Sequence, residues 1–232
     1  MPADMDLMKR YAVYFAPRPG AFAERAAIWL GRDPLTGQAL VQPQLQGLPQ
    51  ACDITIDARR YGFHGTIRAP FRPAEGLSLP DIQAATADLA KRLAPVTCTG
   101  LRLENLQGFV ALTPVGCEAA VLELGAAVVE ATNILRAPLE RAEIDRRRPD
   151  ALSPRQRELL DRWGYPFVME EFHFHLTLTD RLPDDLAMPV MMALQTFFAP
   201  VLPRPFVIED MCLFGEDTAG AFHLLHRYAL TG

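Results

Sequence analysis

The sequence has few cysteines, and none in a metal-binding spacing. Its 232 residues contain four cysteines, at positions 52, 98, 117 and 212. No two of them form a Cys-x-x-Cys pair, which argues against a zinc knuckle, and a chain of this length is not a small disulfide scaffold. The N-terminus also lacks a positively charged segment followed by an apolar run. We therefore expect free thiols and a cytoplasmic protein.

Positive charge is also scarce. Lysine and arginine together number 23 against 28 aspartates and glutamates, which gives a net charge of −5 at pH 7. Affinity for long nucleic acids comes mostly from neutralising their phosphates, so no long nucleic acid is expected as a partner. A small phosphorylated substrate in a local basic pocket is compatible with this charge.

Membrane spans and nucleotide-binding loops are missing as well. The longest apolar stretch, residues 186–202, is interrupted by Pro189, Gln195 and Pro200, so it predicts a buried helix and no membrane partner. The sequence contains neither Gly-x-Gly-x-x-Gly nor Gly-x-x-x-x-Gly-Lys-Ser/Thr, so dinucleotides and nucleoside triphosphates are not indicated. We expect no cofactor and no metal, and the sequence does not predict an oligomeric state.

The remaining composition is typical of a globular protein, with 50% hydrophobic and 22% charged residues. Periodicity and turn residues predict strands at 10–16, 60–69, 97–106, 108–113, 171–180, 205–214 and 221–229. They predict helices at 22–30, 79–93, 117–135, 153–163 and 185–198. We expect loops at 31–58 and 136–152 and disorder in residues 1–8.

The order of these predicted elements repeats. After His64 come a helix, a strand, a turn containing glycine and a further strand, and the same order follows His175. Phe109 lies 45 residues after His64, and Phe222 lies 47 residues after His175. We therefore predict an α+β fold with two pseudo-symmetric lobes of antiparallel sheet, outer helices and a central cleft. The prediction is one bilobal domain over residues 1–232, with lobe motifs around 60–115 and 171–230.

Two of the predicted strands carry the same short pattern, His-x-Thr. The first reads YGFHGTIR over residues 61–68, and the second reads FHFHLTLT over residues 172–179. Because side chains alternate along a strand, His64, Thr66 and Arg68 are expected on one face of the first. The second strand is expected to present His175 and Thr177 on one face, with His173 and Thr179 in the same row.

A row of histidines and threonines differs from a solvated face, which favours lysine, glutamate and aspartate. If the two rows face each other, two imidazoles with ordinary pKa values of about 6.5 can serve as general base and general acid. Thr66 and Thr177 are expected to donate hydrogen bonds to phosphate oxygens, and Arg68 to stabilise the developing charge. The set predicts metal-independent cleavage of a phosphodiester, most readily a cyclic one, with His64 and His175 as catalytic residues.

Longer segments carry a family resemblance. RYAVYFAP near the start, WLGRD at 29–33, RRYGFHGTIRAPF at 59–71, LRAPL at 135–139 and RWGYPFVMEEFHFHLTLTDRL at 162–182 resemble the two-histidine (2H) phosphoesterase superfamily. They resemble in particular its branch encoded beside bacterial phosphonate-degradation genes. The resemblance runs from about Lys9 to Tyr228. It implies the 2H fold, His64 and His175 as the catalytic pair, and Thr66 and Thr177 as phosphate ligands.

The resemblance also implies a substrate class. Members of the superfamily act on 2′,3′-cyclic phosphates, on cyclic ADP-ribose phosphates or on 2′-5′ linkages in RNA, and phosphonate degradation generates a ribose cyclic phosphate. Two alternatives stay open. One is a non-catalytic module that senses a phosphorylated ribose or nucleotide. The other is an RNA-end-processing 2′,3′-cyclic phosphodiesterase.

Some residues have a weaker claim on the site. His173 could touch substrate, the run Arg146-Arg147-Arg148 could meet a phosphate at the rim, and Tyr61 or Tyr165 could stack on a sugar or base. A metal site is the main chemical rival, with ligands from His173, His175, His223, His226, Glu170 and Glu171. Against it, His223 and His226 have opposite parity on one predicted strand and cannot share a face of an unbroken strand.

Overall fold

The computed structural model describes residues 8–232. Residues 1–7 of the segment predicted to be disordered lie outside the described residues. Met8 is buried in one hydrophobic cluster with Tyr11 and Leu213, so that prediction is wrong for Met8. The strands are β1 (Arg10–Phe15), β2 (Gly65–Phe71), β3 (Val96–Cys98), β4 (Gly100–Leu106), β5 (Phe109–Val115), β6 (Leu176–Thr177), β7 (Phe206–Ile208), β8 (Asp210–Glu216) and β9 (Phe222–Ala229). The helices are α1 (Ala21–Leu30), α2 (Ile56–Tyr61), α3 (Leu79–Ala90), α4 (Glu118–Thr132), α5 (Arg141–Arg146), α6 (Pro154–Trp163) and α7 (Asp184–Phe198).

An antiparallel sheet forms the centre of the fold. Its strands run in the order β4-β5-β6-β2-β1-β8-β9, and β3 and β7 pair separately. Helices α3 and α4 pack on β8, β9 and β2, and α7 packs on β4 and β5. The α+β class with antiparallel strands and outer helices is thereby confirmed. Within residues 8–232, helices long and apolar enough to cross a membrane are absent.

The predicted repeat is present, and its two halves exchange strands. Each half runs through a motif strand, a helix, a short strand and a hairpin: β2, α3, β3, β4–β5 and then β6, α7, β7, β8–β9. Yet β6 of the second half pairs with β5 of the first, and β2 is joined through β1 to β8 of the second. The two motif strands therefore lie side by side in the middle of the sheet.

The motif segments are less regular than the alternation pattern predicted. Residues 60–69 were expected to form one strand, but α2 ends at Tyr61, Gly62 turns the chain with φ 71°, and β2 starts at Gly65. Residues 171–180 were also expected to form a strand, but only β6 pairs there, after a 3-10 turn at Met169–Glu171. Both histidines thus lie just before their strands. The loop expected at 136–152 contains α5.

Two of the cysteines are bonded to each other, so the expectation of four free thiols is wrong. Cys98 in β3 and Cys117 before α4 form a disulfide, while Cys52 and Cys212 are free. The spacing of 19 residues gave no sign of this bond. The contact depends on β3 and α4 packing together, which is tertiary information. The cytoplasmic location stays a prediction.

Helix α6 begins and ends where its sequence indicates. The Ser153 hydroxyl accepts a hydrogen bond from the backbone N–H of Gln156 at 3.1 Å, and the Gln156 side chain accepts one from the Ser153 N–H at 3.1 Å. This reciprocal cap satisfies two N–H groups at the start of the helix. The helix stops at Gly164, which has φ 78° and takes the left-handed conformation that favours glycine. The stop places Tyr165 at the cleft described below.

The two motif segments can approach each other because residue 65 has no side chain. Gly65 pairs with Leu176, and the Phe174 ring lies over it. A Cβ atom on residue 65 would lie 2.3 Å from Cζ of Phe174, which is far closer than van der Waals contact. Phe174 is itself buried beside Phe15 and Phe206, with ring centroids 6.2 and 6.5 Å away, so its ring has little room to move.

We predict that Gly65→Ala lowers the free energy of unfolding by about 1–3 kcal/mol, because overpacking forces the buried ring to shift. Gly100→Ala is the matched control, since its new Cβ would meet Arg204 Cγ at an ordinary 3.4 Å. Combining Gly65→Ala with Phe174→Leu should recover part of the loss. Chemical denaturation of the four proteins measures this. Equal stability of Gly65→Ala and Gly100→Ala would contradict the close approach.

Candidate active site

His64 is held in place by its own backbone. It follows the turn at Gly62, and its Nδ1 lies 2.9 Å from the Gly62 carbonyl oxygen. A carbonyl oxygen only accepts, so Nδ1 carries the proton and donates. In the neutral ring this leaves the lone pair on Nε2, which lies 3.2 Å from the Thr66 hydroxyl. The imidazole is therefore oriented with its basic nitrogen toward the next residue of the motif.

His175 repeats this arrangement in the second motif. Its Nδ1 lies 2.7 Å from the His173 carbonyl oxygen, again two residues earlier in the chain. The same reasoning assigns the proton to Nδ1 and the lone pair to Nε2. The His173 carbonyl accepts from this ring, which helps to explain why the segment before β6 is not part of the sheet. Both motifs thus present an imidazole whose basic nitrogen is Nε2, and in His64 this nitrogen lies within hydrogen-bond distance of the Thr66 hydroxyl.

The strand register brings the two motifs together. Gly65 pairs with Leu176 in antiparallel orientation. Continuing that register by one residue in each direction sets His64 opposite Thr177 and Thr66 opposite His175. Directly opposed side chains on one face have Cβ atoms about 4.5–5.5 Å apart. Each histidine therefore faces the threonine of the other motif, as a pseudo-two-fold through the Gly65–Leu176 pair requires.

A cleft of about 340 Å³ opens over this face. Its floor and walls include many aromatic and charged groups. The lining residues are Arg10, Tyr14, Asp57, Ala58, Tyr61, Gly62, His64, Thr66, Ala69, Pro70, Phe109, Arg147, Tyr165, Thr177, Thr179, Asp180 and Arg181. The ring of Tyr14 lies under His64 with centroids 4.0 Å apart, and Phe109 lies 5.5 Å from the His175 ring. The volume falls in the range of about 300–1,000 Å³ typical of small-molecule sites.

The chain matches the model of a known protein family. The family model described as "Protein of unknown function (DUF1045)" matches residues 66–223, which is more than half of the chain. The chain belongs to the DUF1045 family. The match includes His175 and Thr177 and begins two residues after His64.

Two curated relatives are similar over nearly the whole of this DUF1045 chain. Both are named ribose 1,5-bisphosphate phosphokinase PhnN. The protein from Janthinobacterium sp. (strain Marseille) is 37% identical over 222 residues, which cover 92% of this chain and 49% of the relative. The protein from Laribacter hongkongensis (strain HLHK9) is 39% identical over 220 residues, which cover 94% and 51%. The chain spans about half the length of the curated relatives it matches.

Among solved structures, the fold is similar to E. coli LigT complexed with 3′-AMP, with a TM-score of 0.44 and 17% identity, covering 96% of this chain and 98% of that one. It is also similar to a structure named as a phosphoesterase, with a TM-score of 0.43 and 14% identity, covering 97% and 99%.

Burial keeps the imidazoles of both motifs of this DUF1045 protein neutral at pH 7. Removal from water lowers the pKa of His64 to about 4, against a smaller rise from its bond to the Gly62 carbonyl and a further lowering from the charge of His175. Burial is also the main cause that lowers the pKa of His175, with the bond to the His173 carbonyl opposing it and the His173 charge adding to it. The effect of His175 on the pKa of His64 agrees with the strand register, which sets the two motifs side by side.

Arg68 is not part of the cleft, and the expectation that it shares a face with His64 and Thr66 is wrong. Its side chain is 1% exposed, and Nη1 donates to the Trp163 carbonyl at 2.9 Å. The cause is a bulge in β2. Thr66 pairs with Tyr14 while Arg68 pairs with Val13, and these neighbours in β1 point to opposite faces. Burial lowers the pKa of Arg68 to about 10, and the charge of Arg136 adds to this effect.

Other candidates from the sequence are dispersed. His173 is exposed and outside the cleft lining, and it contributes through its carbonyl. Arg147, the middle residue of the run at 146–148, does line the cleft. The Thr179 hydroxyl also lines it but accepts the Val110 N–H at 2.9 Å, which makes it a structural group.

The proposed metal ligands do not come together. His223 lies between Asp217, 2.8 Å from Nε2, and Arg32, 3.1 Å from Nδ1, whereas His226 packs on Tyr228. Within the part of the chain that the structure describes, groups of three or more His, Cys, Asp or Glu side chains suited to a metal ion are absent.

Sequence reasoning missed Tyr14 as a site residue. It lies in β1, whose Tyr, Val and Phe side chains are nearly all buried, so alternation gave no sign of which face meets the cleft. Its burial raises the pKa of its hydroxyl well above 10, so the ring stays neutral beneath His64. The sequence indicated only that Ala12 and Tyr14 lie on the same face of the strand, because side chains alternate along it.

We predict that NMR titration of the free protein finds His64 protonated only near pH 4 and His175 only below its ordinary pKa of about 6.5. Between pH 4 and 6.5 the unfolded chain binds more protons at His64 than the folded chain does. The free energy of unfolding should therefore fall as the pH drops through that window. His64→Asn should lessen this pH dependence. A His64 pKa at or above 6.5 in the free protein would contradict the burial of this ring.

Proposed function

We propose that this DUF1045 protein is a metal-independent phosphoesterase of the 2H type that opens a small cyclic phosphodiester. A ribose cyclic phosphate is the substrate class we favour. The observation that carries the proposal is the side-by-side pairing of two His-x-Thr motifs, where each imidazole is fixed through Nδ1 and has its lone pair on Nε2. His64, Thr66 and Thr177 line the cleft, and the His175 ring lies 5.5 Å from the ring of Phe109, another lining residue. A binding site needs only donors for a phosphate, whereas two basic nitrogens suit proton transfer on both sides of phosphorus.

The reaction follows from these positions. The neutral Nε2 of one histidine takes a proton from water as the water oxygen bonds to phosphorus. The protonated Nε2 of the other gives its proton to the ring oxygen as the phosphorus–oxygen bond breaks. Thr66 and Thr177 donate hydrogen bonds to the non-bridging oxygens, whose charge grows in the transition state. After one turnover the two histidines have exchanged protonation states, and solvent restores them.

Both rings are neutral in the free protein at pH 7. One of them therefore has to become protonated when the substrate binds. An anionic phosphodiester between the rings favours the imidazolium form of either one, which raises that pKa toward neutrality. Opposite charges within about 4–6 Å produce shifts of this sign. The site is thus expected to acquire its acid only when a phosphate is bound.

The names of the curated relatives support a phosphorylated pentose. Both are named for a kinase of ribose 1,5-bisphosphate, and this chain matches about half of each. The kinase named in those relatives is a property of the whole proteins, of which this chain matches only about half. The name does support ribose phosphate chemistry in the same polypeptide.

We predict that His64→Asn and His175→Asn each lower kcat on a ribose cyclic phosphate by at least about 10²–10⁴-fold, the usual contribution of one proton transfer. The asparagine amide can still donate to the carbonyl that Nδ1 used, so the segment should keep its shape. His226→Asn, exposed and outside the cleft lining, is the control and should retain full activity. EDTA should leave the wild-type rate unchanged. Phosphorus NMR follows the loss of the cyclic phosphate.

The same assay separates the alternatives. Tight binding of cyclic phosphates by the wild type without any product would support a sensing module instead. Turnover limited to cyclic phosphates at the ends of RNA would support an RNA-processing enzyme. Full activity in either asparagine variant would remove the acid–base mechanism.

A further inference from the structure

Some charged side chains of the cleft already have hydrogen-bond partners within the protein. Arg10 is paired with Glu216, with Nη2 to Oε1 at 2.8 Å. The Asp180 carboxylate accepts the backbone N–H groups of Asp57 and Ala58 at the start of α2, at 3.0 and 3.1 Å. These groups have partners in the folded protein and need none from a ligand.

Two arginines in the cleft differ from the rest. Arg147 lies with Cζ 4.7 Å from the ring centroid of Tyr165, which fixes its guanidinium over a wall of the cleft. Arg181 also lines the cleft and lies four residues after Thr177 in the sequence. The aliphatic part of its side chain packs against the turn at Gly108. Among residues 8–232, neither has a carboxylate within salt-bridge distance, although the protein pairs many of its other arginines.

These two arginines share the cleft with the residues proposed to hold the phosphodiester. The motif residues in the lining are His64, Thr66 and Thr177, all uncharged, with the neutral His175 ring beside the lining residue Phe109, and Arg68 lies outside the cleft. Both arginines line the same cleft of about 340 Å³ as Thr66 and Thr177, so one small ligand can contact both sets of residues.

We infer that Arg147 and Arg181 form a second anion site in the same cleft, and that the substrate is a cyclic sugar phosphate carrying a further phosphate. This inference rests on the proposed function and adds the substrate class to it. Guanidinium groups bind phosphate through charge-assisted hydrogen bonds, and an arginine of a cleft that has no carboxylate partner is available to an anionic ligand. The neutral motif site then binds the diester, and the arginines recognise the other end of the molecule.

A simpler role for the arginines is general attraction of any anion into the cleft. Steering of this kind changes association of every anionic substrate and weakens with salt, without preference between them. A second anion site instead discriminates between substrates with and without the additional phosphate. The two roles therefore give different results with a matched substrate pair.

The experiment compares a ribose cyclic phosphate with its 5-phosphorylated form in the wild type, Arg147→Gln, Arg181→Gln and the double variant. Charge-assisted hydrogen bonds are worth about 1.5–3 kcal/mol, so the wild type should prefer the phosphorylated form by at least about 10-fold in kcat/KM. Each variant should lose part of this preference through KM, and the double variant most of it. Arg141→Gln, on the exposed side of α5, is the control and should keep the wild-type preference.

Equal kcat/KM for both substrates in the wild type, or equal losses on both in the arginine variants, would overturn the second anion site while leaving the phosphoesterase intact. If no protein turns over either substrate, the proposed function fails instead. Binding of ribose 5-phosphate, measured by calorimetry, then decides the inference. Weaker binding in both arginine variants but not in Arg141→Gln would support the site, and unchanged binding would refute it.

Discussion

The close approach of two distant segments at Gly65 is the constraint on which the rest of the site depends. Each His-x-Thr motif supplies one imidazole and one hydroxyl, and neither motif alone can both remove and deliver a proton. The backbone pairing of Gly65 with Leu176 joins them, and the Phe174 ring fills the space that a side chain at residue 65 would need. Strand exchange between the halves reinforces the contact, because β6 of the second half lies between β5 and β2 of the first.

The sequence predicted the content of the site better than its local shape. The pairing of His64 with Thr66 and of His175 with Thr177, and the repeat of elements after them, could be read directly from residue order. The failures have one cause, which is that alternation assumes an unbroken strand. Each histidine bonds to a carbonyl two residues before it, outside the ladder, and the bulge in β2 turns Arg68 away from the cleft.

Contacts that depend on tertiary packing could not be predicted from local sequence patterns. The disulfide between Cys98 and Cys117 joins a short strand to the start of a helix, and the spacing of the two cysteines carries no trace of that meeting. Tyr14 is similar, because a strand buried on both faces does not reveal which face meets a ligand. The four residues from Ser153 to Gln156 at the start of α6 were informative for the opposite reason: a capping box is satisfied within its own segment.

The electrostatics of the cleft separate reactivity from recognition. A permanent cation beside the imidazoles would lower their pKa values further and hinder formation of the acid. Under the proposed function, the bulge that turns Arg68 away from the cleft keeps its charge away from the imidazoles. Arg10 lines the cleft but is paired with Glu216, whereas Arg147 and Arg181 have no carboxylate partner among the described residues and are proposed to act on a second anionic group of the ligand. A substrate with a single anionic group could not occupy the arginines and the motifs at the same time. A substrate with two anionic groups could bind both, and its diester would bring to His64 or His175 the negative charge that favours the protonated ring.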